Sequence, residues 1–305
     1  RMAYLHKTVS TDEVIFRNFM NVLEFRIGDV RDYAAVSAAV RDADIVVNAA
    51  ALKQVPSCEY FPEEAVLTNC IGAMNIVRAI QNNRYPVETV VAISTDKACK
   101  PVNVMGMTKA VQERIFIGAN VLNPDTRFIG VRYGNVLASR GSVIPLFHEQ
   151  IRNGGPLTIT APHMTRFLLS LDQAVDTVFA ALKGAKAGEI YVPNAPSATV
   201  INIAKALIGS RKIPTKITGV RPGEKLHEIM VSEEEVHHCV KRGAWYAIRP
   251  MLPELTTKAK AEPNALKREF SSADTVLSLA GTVKLLKQHR LMPGDSGLDD
   301  GELLR

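Results

Sequence analysis

Cysteine is scarce in this sequence, and the few cysteines are wrongly spaced for a metal site or a disulfide framework. The 305 residues include four, Cys58, Cys70, Cys99 and Cys239. Structural zinc sites and small disulfide-stapled domains use closely paired cysteines such as C-x-x-C, so both classes are disfavoured. The pattern is typical of a protein in the reducing cytoplasm. Because His148, His163 and His227 also lack metal-ligand spacing, we predict no metal and a structural role for each.

Long apolar runs and concentrated charge are absent too. No run reaches the roughly 20 apolar residues that a membrane-spanning helix needs, and the start, Arg1-Met2-Ala3, does not resemble a signal peptide. The formal net charge of +6 is mild and forms no basic stripe of the kind that binds nucleic acid. We therefore predict a cytoplasmic protein with no membrane span and no nucleic-acid partner.

The glycine-rich turn that opens a dinucleotide-binding sheet is also missing. Such a sheet starts with a strand, a G-x-G-x-x-G turn and a helix, and no turn of this kind precedes Gly28. The later strand ends nevertheless keep their polar residues. We therefore interpret the given chain as lacking the first strand and its turn, rather than as a degenerate protein.

Short apolar runs alternate with helical patterns through the first half of the chain. Segments typical of strands are 22–27, 45–49, 89–93 and 127–131, and segments typical of helices are 33–40, 63–82 and 107–117. This alternation predicts an α/β fold with a parallel sheet and right-handed crossovers. Further predicted elements are a loop at 141–145 leading into a helix, strands at 156–160 and 189–192, helices at 172–182 and 201–208, and a turn at 221–225 that opens another helix.

Polar residues follow the predicted strand 89–93 directly. They are Ser94, Thr95, Asp96 and Lys97, at the strand end where open α/β sheets bind their ligands. Asp96 and Lys97 place a carboxylate beside an amine, which makes them a candidate acid/base pair. An ordinary ion pair on a loop is the alternative for this dipeptide taken alone.

Six short motifs occur together and span about two thirds of the chain. They are 48–56 (NAAALKQVP), 94–98 (STDKA), 132–136 (RYGNV), 139–147 (SRGSVIPLF), 164–167 (MTRF) and 221–228 (RPGEKLHE). In this order they resemble the extended short-chain dehydrogenase/reductase superfamily, and within it the nucleotide-sugar 4,6-dehydratases of bacterial polysaccharide biosynthesis. The segment 55–59 (VPSCE) and Met105 look most like the 5-inverting UDP-N-acetylglucosamine 4,6-dehydratases of capsule and O-antigen pathways.

The resemblance implies a Rossmann-like, doubly wound parallel sheet with a smaller C-terminal substrate-binding lobe. We expect a dinucleotide-binding domain over 1–136, completed by about 168–195. The nucleotide-sugar lobe is expected over 137–167 and 196–270, and a C-terminal tail over 271–305.

The implied reaction converts UDP-N-acetylglucosamine to a UDP-4-keto-6-deoxy sugar, with inversion at C5. Tightly bound NADP or NAD takes a hydride from C4 and returns it to C6 after water has left from C5 and C6, so the cofactor is regenerated each turnover. In related enzymes the residues matching Asp96 and Lys97 act as acid toward the C6 oxygen and base at C5. Lys97 needs a lowered pKa for that role, from desolvation or from a neighbouring cation such as Lys109.

The sequence departs from the superfamily at Met105. Most members place a tyrosine four residues before the lysine, as Y-x-x-x-K, to take the proton of the C4 hydroxyl. Here the motif reads Met105-x-x-x-Lys109, and a thioether is no base. Asp96 or a water is left as the candidate base at C4, and a catalytically inactive relative is the alternative.

Other roles carry over from the resemblance position by position. Asp29 and Val30 are expected to face the adenine, Ala49, Ala50 and Lys53 the ribose and phosphate region, Thr95 the nicotinamide and substrate, and Lys109 the nicotinamide ribose. The UDP pocket is expected to be lined by Asn135, Val143, Arg166, Arg221 and Glu224. For Cys58 we predict a buried packing role.

Two other functions remain open at this stage. One is a retaining 4,6-dehydratase or a UDP-sugar 4-epimerase. The epimerase returns the hydride to C4 and does not need the Asp96-Lys97 pair for elimination. The other is a non-catalytic NAD(P)-binding protein, suggested by the missing turn and by Met105. The expected partner is a UDP-sugar, and we expect a homo-oligomer, either a dimer or a hexamer.

Overall fold

The computed structural model describes residues 17, 21–139, 141–256 and 262–295. Its α-helices are α1 (Tyr33–Val40), α2 (Val55–Tyr60), α3 (Pro62–Val66), α4 (Gly72–Asn83), α5 (Val104–Leu122), α6 (Val143–Arg152), α7 (Leu171–Gly184), α8 (Val200–Ile208), α9 (Glu233–Val236), α10 (Pro253–Thr256) and α11 (Leu279–Gln288). Its strands are β1 (Ile45–Asn48), β2 (Thr89–Thr95), β3 (Arg127–Tyr133), β4 (Asn135–Val136), β5 (Leu157–Ile159), β6 (Thr165–Leu169), β7 (Ile190–Pro193), β8 (Ser197–Thr199), β9 (Thr215–Ile217), β10 (Ile229–Val231), β11 (Cys239–Arg242), β12 (Trp245–Ile248) and β13 (Phe270–Ser271).

A six-stranded sheet forms the centre of the molecule, in the order β1-β2-β3-β7-β12-β11. β1, β2, β3 and β7 are parallel, and β12 and β11 continue the sheet antiparallel. Successive residues of β2 point to opposite faces. Val90 packs under α1, α4 and α5 on one face, whereas Val91 packs under α7 on the other. Helices therefore cover both faces, and the predicted Rossmann-like, doubly wound α/β fold is confirmed.

A second core lies in the smaller lobe. β4, β6 and β8 form one sheet and β5 and β9 another, and α6, α8 and α11 pack around them through the fully buried Phe147, Leu207 and Leu286. Two details differ from the expected division. β11 and β12, from the segment assigned to the lobe, extend the large sheet because β12 pairs with β7, and α11, from the expected tail, packs against α8 through its apolar face.

The strand predicted over 22–27 does not form, and that prediction is wrong. Asn21 and Val22 are helical, and residues 23–29 have no regular structure. Phe25 and Ile27 are exposed. Among the described residues β1 pairs only with β2, so the apolar run has no neighbouring strand to complete its hydrogen bonds, without which an extended segment is not a stable strand.

The turn at 221–225 opens a strand rather than the predicted helix. The residues after it are hydrogen-bonded to neighbours on both sides. Leu226 O accepts from Thr165 N at 3.0 Å, and Glu228 N donates to Ser272 Oγ at 2.9 Å. The segment therefore enters β10 directly.

The remaining predicted elements form, with ends shifted by a few residues. The helix expected over 63–82 is continuous from α3 to α4 through a π-helical turn, Leu67–Ile71. The helix expected over 107–117 is the centre of the longer α5. Within the described ranges, no helix combines the length and apolar character needed to cross a bilayer.

Candidate active site

A cleft of about 530 Å³ opens where the carboxyl ends of β1, β2 and β3 face the smaller lobe. This is the place at which doubly wound sheets bind ligands. Ten of the predicted site residues line it: Ala49, Lys53, Thr95, Lys97, Lys109, Asn135, Val143, Arg166, Arg221 and Glu224. Residues far apart in the chain therefore meet around one space.

Four predicted site residues do not line the cleft. Asp29 and Val30 lie in a loop outside it, where the Asp29 carboxylate binds Arg31 at 2.6 Å and the Val30 carbonyl accepts from Asn75 at 3.0 Å. Ala50 also lies outside it, although Ala49 and Ala51 on either side line it. The fourth, Asp96, is fully buried behind the cleft wall.

Asn103 and Gly106 fix the start of α5 against the strand end. Asn103 is the N-cap: its Oδ1 accepts from Gly106 N at 2.7 Å, and its Nδ2 donates to Gly223 O at 2.7 Å. A Cβ on Gly106 would collide with the main chain of Lys97, at 3.1 Å from the carbonyl carbon and closer to the oxygen. Glycine therefore lets α5 approach the 3-10 turn, Asp96–Ala98, that carries the acid/base pair.

The surroundings of Asp96 favour the protonated form of its carboxyl group. Its Oδ1 accepts from Thr95 Oγ1 and from Lys97 Nζ, both at 3.0 Å, whereas its Oδ2 has no partner. Burial, and to a smaller degree the charge of Glu228, raises the pKa of Asp96 against the opposing effect of Lys97. Thr95 lines the cleft and so connects Asp96 to it.

Lys97 does not have the lowered pKa that its role as a base requires. Burial lowers the pKa of Lys97, but Asp96 at 3.0 Å and Glu228 at 3.3 Å outweigh it, and the pKa stands above its usual value. The cation acting on Lys97 is Arg166 rather than Lys109. Lys97 is therefore an ammonium held between two carboxyl groups, and it also donates to Asn135 Oδ1 at 3.3 Å.

Lys109 is the lysine whose pKa is lowered, to about 8, because it is buried. Its Nζ donates to Ile93 O at 2.5 Å and to Gln112 Oε1. Met105, four residues earlier, is buried and packs against Cys58 and Ala65. The thioether is thus part of a small apolar core at the cleft wall, in agreement with a position that supplies no base.

Cys58 and two of the three histidines predicted to be structural, His148 and His227, make contacts within the fold, whereas His163 is exposed. Cys58 is fully buried, and its thiol points to Leu52 O at 3.6 Å. His148 bonds Leu291 O at 2.9 Å, and His227 bonds Thr165 Oγ1 at 2.8 Å. Among the residues that the structure describes, no three histidines, cysteines or carboxylates come together as metal ligands.

A buried ion cluster, absent from the predicted site, supports the strand ends. Arg132, at the end of β3, binds Glu113 of α5 at 2.7 Å and Glu235 of α9 at 2.8 Å. Ser94 Oγ donates to the same Glu113 at 2.5 Å. Arg132 opens the motif 132–136, but its partners lie 19 and 103 residues away, so the cluster could not be predicted from local sequence.

Glu228 is the other residue that the sequence prediction missed. It is buried, lines the cleft and contacts Lys97. Burial would raise the pKa of Glu228, but Lys97, Arg166 and Lys225 hold it below its usual value. Its place at the end of the motif 221–228 is the sequence feature from which it could have been identified.

Comparison with known proteins places this chain among nucleotide-sugar enzymes. The family described as "Polysaccharide biosynthesis protein" matches residues 5–250. A UDP-N-acetylglucosamine 4,6-dehydratase (inverting) of Campylobacter jejuni is 43% identical over 81% of this chain and 73% of that protein. A UDP-glucose 4-epimerase of Rickettsia bellii is 46% identical over 74% of this chain and 67% of that protein. The X-ray structure of Pen from Bacillus thuringiensis has a TM-score of 0.82 at 32% identity, over 92% of this chain and 86% of that one.

Proposed function

The chain belongs to the polysaccharide biosynthesis protein family, and we propose that it is a nucleotide-sugar 4,6-dehydratase that acts on UDP-N-acetylglucosamine with inversion at C5. The observation that carries the proposal is the group at the end of β2. Asp96, with a raised pKa and a free Oδ2, lies beside the Lys97 ammonium at the cleft wall. Elimination of water needs an acid and a base side by side.

The residues at the strand ends fit the nicotinamide end of NADP or NAD. Ala49, Ala51 and Ile93 give the cleft a small, uncharged wall next to Lys109. Nearby, Gln112 has a buried Nε2 without a partner. We propose that Lys109 holds the nicotinamide ribose and Lys53 the phosphate region, with Asp29, Val30 and Ala50 toward the adenine half. When bound, the cofactor supplies a hydride acceptor for C4 and a donor for C6.

The acid and base roles fall to the residues at the end of β2. Thr95 faces the cleft and positions Asp96. Asp96 gives its proton to the C6 oxygen as the C6–O bond breaks. Lys97 takes the proton from C5, and it must first release the proton that it carries in this structure. A water takes the C4 hydroxyl proton, because Met105 has no basic atom and Asp96, as the proposed acid, already carries its proton.

The lobe side of the cleft fits a UDP group. Arg166 and Arg221 line it, and a guanidinium is suited to a diphosphate because it is planar and always charged. Ser142 Oγ and Glu224 Oε2 are buried there without partners, as expected of groups that bind a polar ligand. Asn135 and Val143 complete this part of the wall.

A UDP-sugar 4-epimerase is the second candidate, favoured by the name of the Rickettsia relative. The two activities differ in the fate of the C6 hydroxyl. Purified protein is incubated with UDP-N-acetylglucosamine, and the product mass is measured. A dehydratase product has lost one water, and an epimer has the mass of the substrate. Bound cofactor without turnover of any UDP-sugar would instead indicate a non-catalytic relative.

We also propose that the chain forms a homo-oligomer. α2, α3 and α5 pack together and leave Tyr60, Phe61, Met107 and Val111 exposed on neighbouring helices. Such an apolar group is typical of a contact surface. Sedimentation of the protein, compared with that of Val111→Lys, tests whether this face makes the contact.

A further inference from the structure

Glu228 lies at the meeting point of the large sheet and the smaller lobe. Its main-chain N–H donates to Ser272 Oγ at 2.9 Å, which fixes the residue just before β10. Glu228 is buried, with 1% of the residue exposed. Oε1 lies 3.3 Å from Lys97 Nζ and 3.9 Å from Arg166 Nε, whereas Oε2 is buried without a partner.

Two carboxyl groups thus share one ammonium, but their surroundings differ. Glu228 faces three cations: Lys97 from the 3-10 turn, Arg166 from β6, and Lys225 from its own loop. Asp96 has Lys97 as its close cation and is fully buried. Because burial penalises the less compensated charge, the pKa of Asp96 is raised and that of Glu228 is lowered, which favours a proton on Asp96 over one on Glu228.

A proton on Asp96 would have one available position. Oδ1 already accepts from Thr95 and Lys97, which leaves Oδ2, the oxygen without a partner, to carry it. A Cβ on Gly134 would stand 3.0 Å from Oδ2, and Gly134 lines the cleft. Gly134, which has no side chain, therefore lies between the Asp96 carboxyl group and the cleft.

We propose that Glu228 is a positioning residue that holds the Lys97 ammonium and accepts its proton when Lys97 has to act as the base. The inference rests on the proposed dehydratase function. The proton moves from Nζ to Oε1, the neutral amine takes the C5 proton, and Asp96 gives its own proton to the departing oxygen. Lys97 then reprotonates Asp96, and Glu228 returns its proton to Lys97. The water that took the C4 hydroxyl proton protonates C5 from its opposite face as C6 receives the hydride, so the cycle closes with one water as the product.

The test compares Glu228→Gln and Glu228→Asp with the wild-type protein. Dehydration in Glu228→Gln is expected to fall about 10²–10⁴-fold, the range for loss of a group that moves a proton. Formation of reduced nicotinamide on mixing with substrate, which needs no base at C5, is expected to persist. Glu228→Asp keeps the charge and should recover part of the rate. Glu269→Gln removes a carboxylate that binds Lys100 at the surface and serves as the control.

A second measurement needs no turnover. The carboxyl carbon of Asp96, identified by its loss in Asp96→Asn, is followed by ¹³C NMR against pH in the unliganded protein. Removing the neighbouring negative charge should move its midpoint to lower pH by about 1–3 units. An unmoved midpoint, or loss of reduced nicotinamide in proportion to dehydration, would overturn the proposal. If the wild-type protein converts no UDP-sugar, the dehydratase function fails and the role of Glu228 fails with it. If the wild type dehydrates UDP-N-acetylglucosamine and Glu228→Gln does so at the same rate, only the role of Glu228 fails.

Discussion

Replacing Gly106 by alanine tests whether the close packing of α5 on the 3-10 turn sets the geometry of the acid/base pair. The new Cβ would stand 3.1 Å from the carbonyl carbon of Lys97, inside the 3.4 Å at which ordinary contact begins. Both partners are main chain, so no side-chain rotation relieves the clash. The helix and Lys97 must separate by on the order of 1 Å, a displacement that costs about 10²-fold in rate when it misplaces reacting groups.

Stability should change less than activity in this variant. Overpacking costs about 1–3 kcal/mol, and the better helix propensity of alanine offsets about 1 kcal/mol. A net loss of up to about 2 kcal/mol in the free energy of unfolding is expected from urea titration. The enzymatic assay is kcat/KM for formation of the 4-keto sugar from UDP-N-acetylglucosamine.

Gly118 supplies a matched control on the same helix. A Cβ there meets nothing within 4 Å, so Gly118→Ala should gain up to about 1 kcal/mol of stability and keep its rate. The reasoning is refuted if Gly106→Ala equals Gly118→Ala in both unfolding midpoint and kcat/KM, because the contact would then position nothing.

Three further predictions concern single side chains of the site. Asp96→Asn and Lys97→Ala should each lower dehydration about 10²–10⁴-fold while UDP binding, measured by calorimetry, stays nearly unchanged; a drop below tenfold in both would contradict their roles. Met105→Leu should lower the free energy of unfolding by less than about 1.5 kcal/mol and keep activity, whereas Lys109→Ala should weaken cofactor binding or slow the first hydride transfer. An equal loss of activity in the two variants would mean that the thioether has a chemical role. Because the pKa of Lys109 falls from 10.5 to about 8, the unfolded chain binds an extra proton between these values and stability should rise with pH across that window. The thermal unfolding midpoint of Lys109→Met should not show this rise with pH. If the midpoint depends on pH with the same slope in the variant and in the wild type, Lys109 does not have a lowered pKa.

The strands and helices of the first half of the chain could be predicted because each pattern reflects local burial. β2 is an apolar run covered on both faces, and such a run is readable without knowledge of its partners. The segment 22–27 has a similar apolar content, and it failed as a prediction because a strand also needs a neighbour. The helix predicted after 221–225 failed for the corresponding reason, since the path of that segment depends on hydrogen bonds to Thr165 and Ser272.

The cleft-lining residues could be predicted from strand ends and motifs, but their charges could not. The pKa of Lys97 is raised, whereas its role as a base requires a lowered one, because Glu228, 131 residues further along the chain, adds a second negative charge beside it. Lys109 showed the lowered pKa instead, through burial on a helix whose depth the sequence does not reveal. Protonation in a buried site depends on which distant side chains meet there.

The most direct test of the central claim is proton NMR of the product formed from UDP-N-acetylglucosamine in D₂O. The dehydratase account predicts a 4-keto sugar with a methyl group at C6 and deuterium at C5, because the C5 proton is lost to the site and replaced from solvent. A 4-epimer that keeps its C6 hydroxyl and its C5 proton would contradict the account.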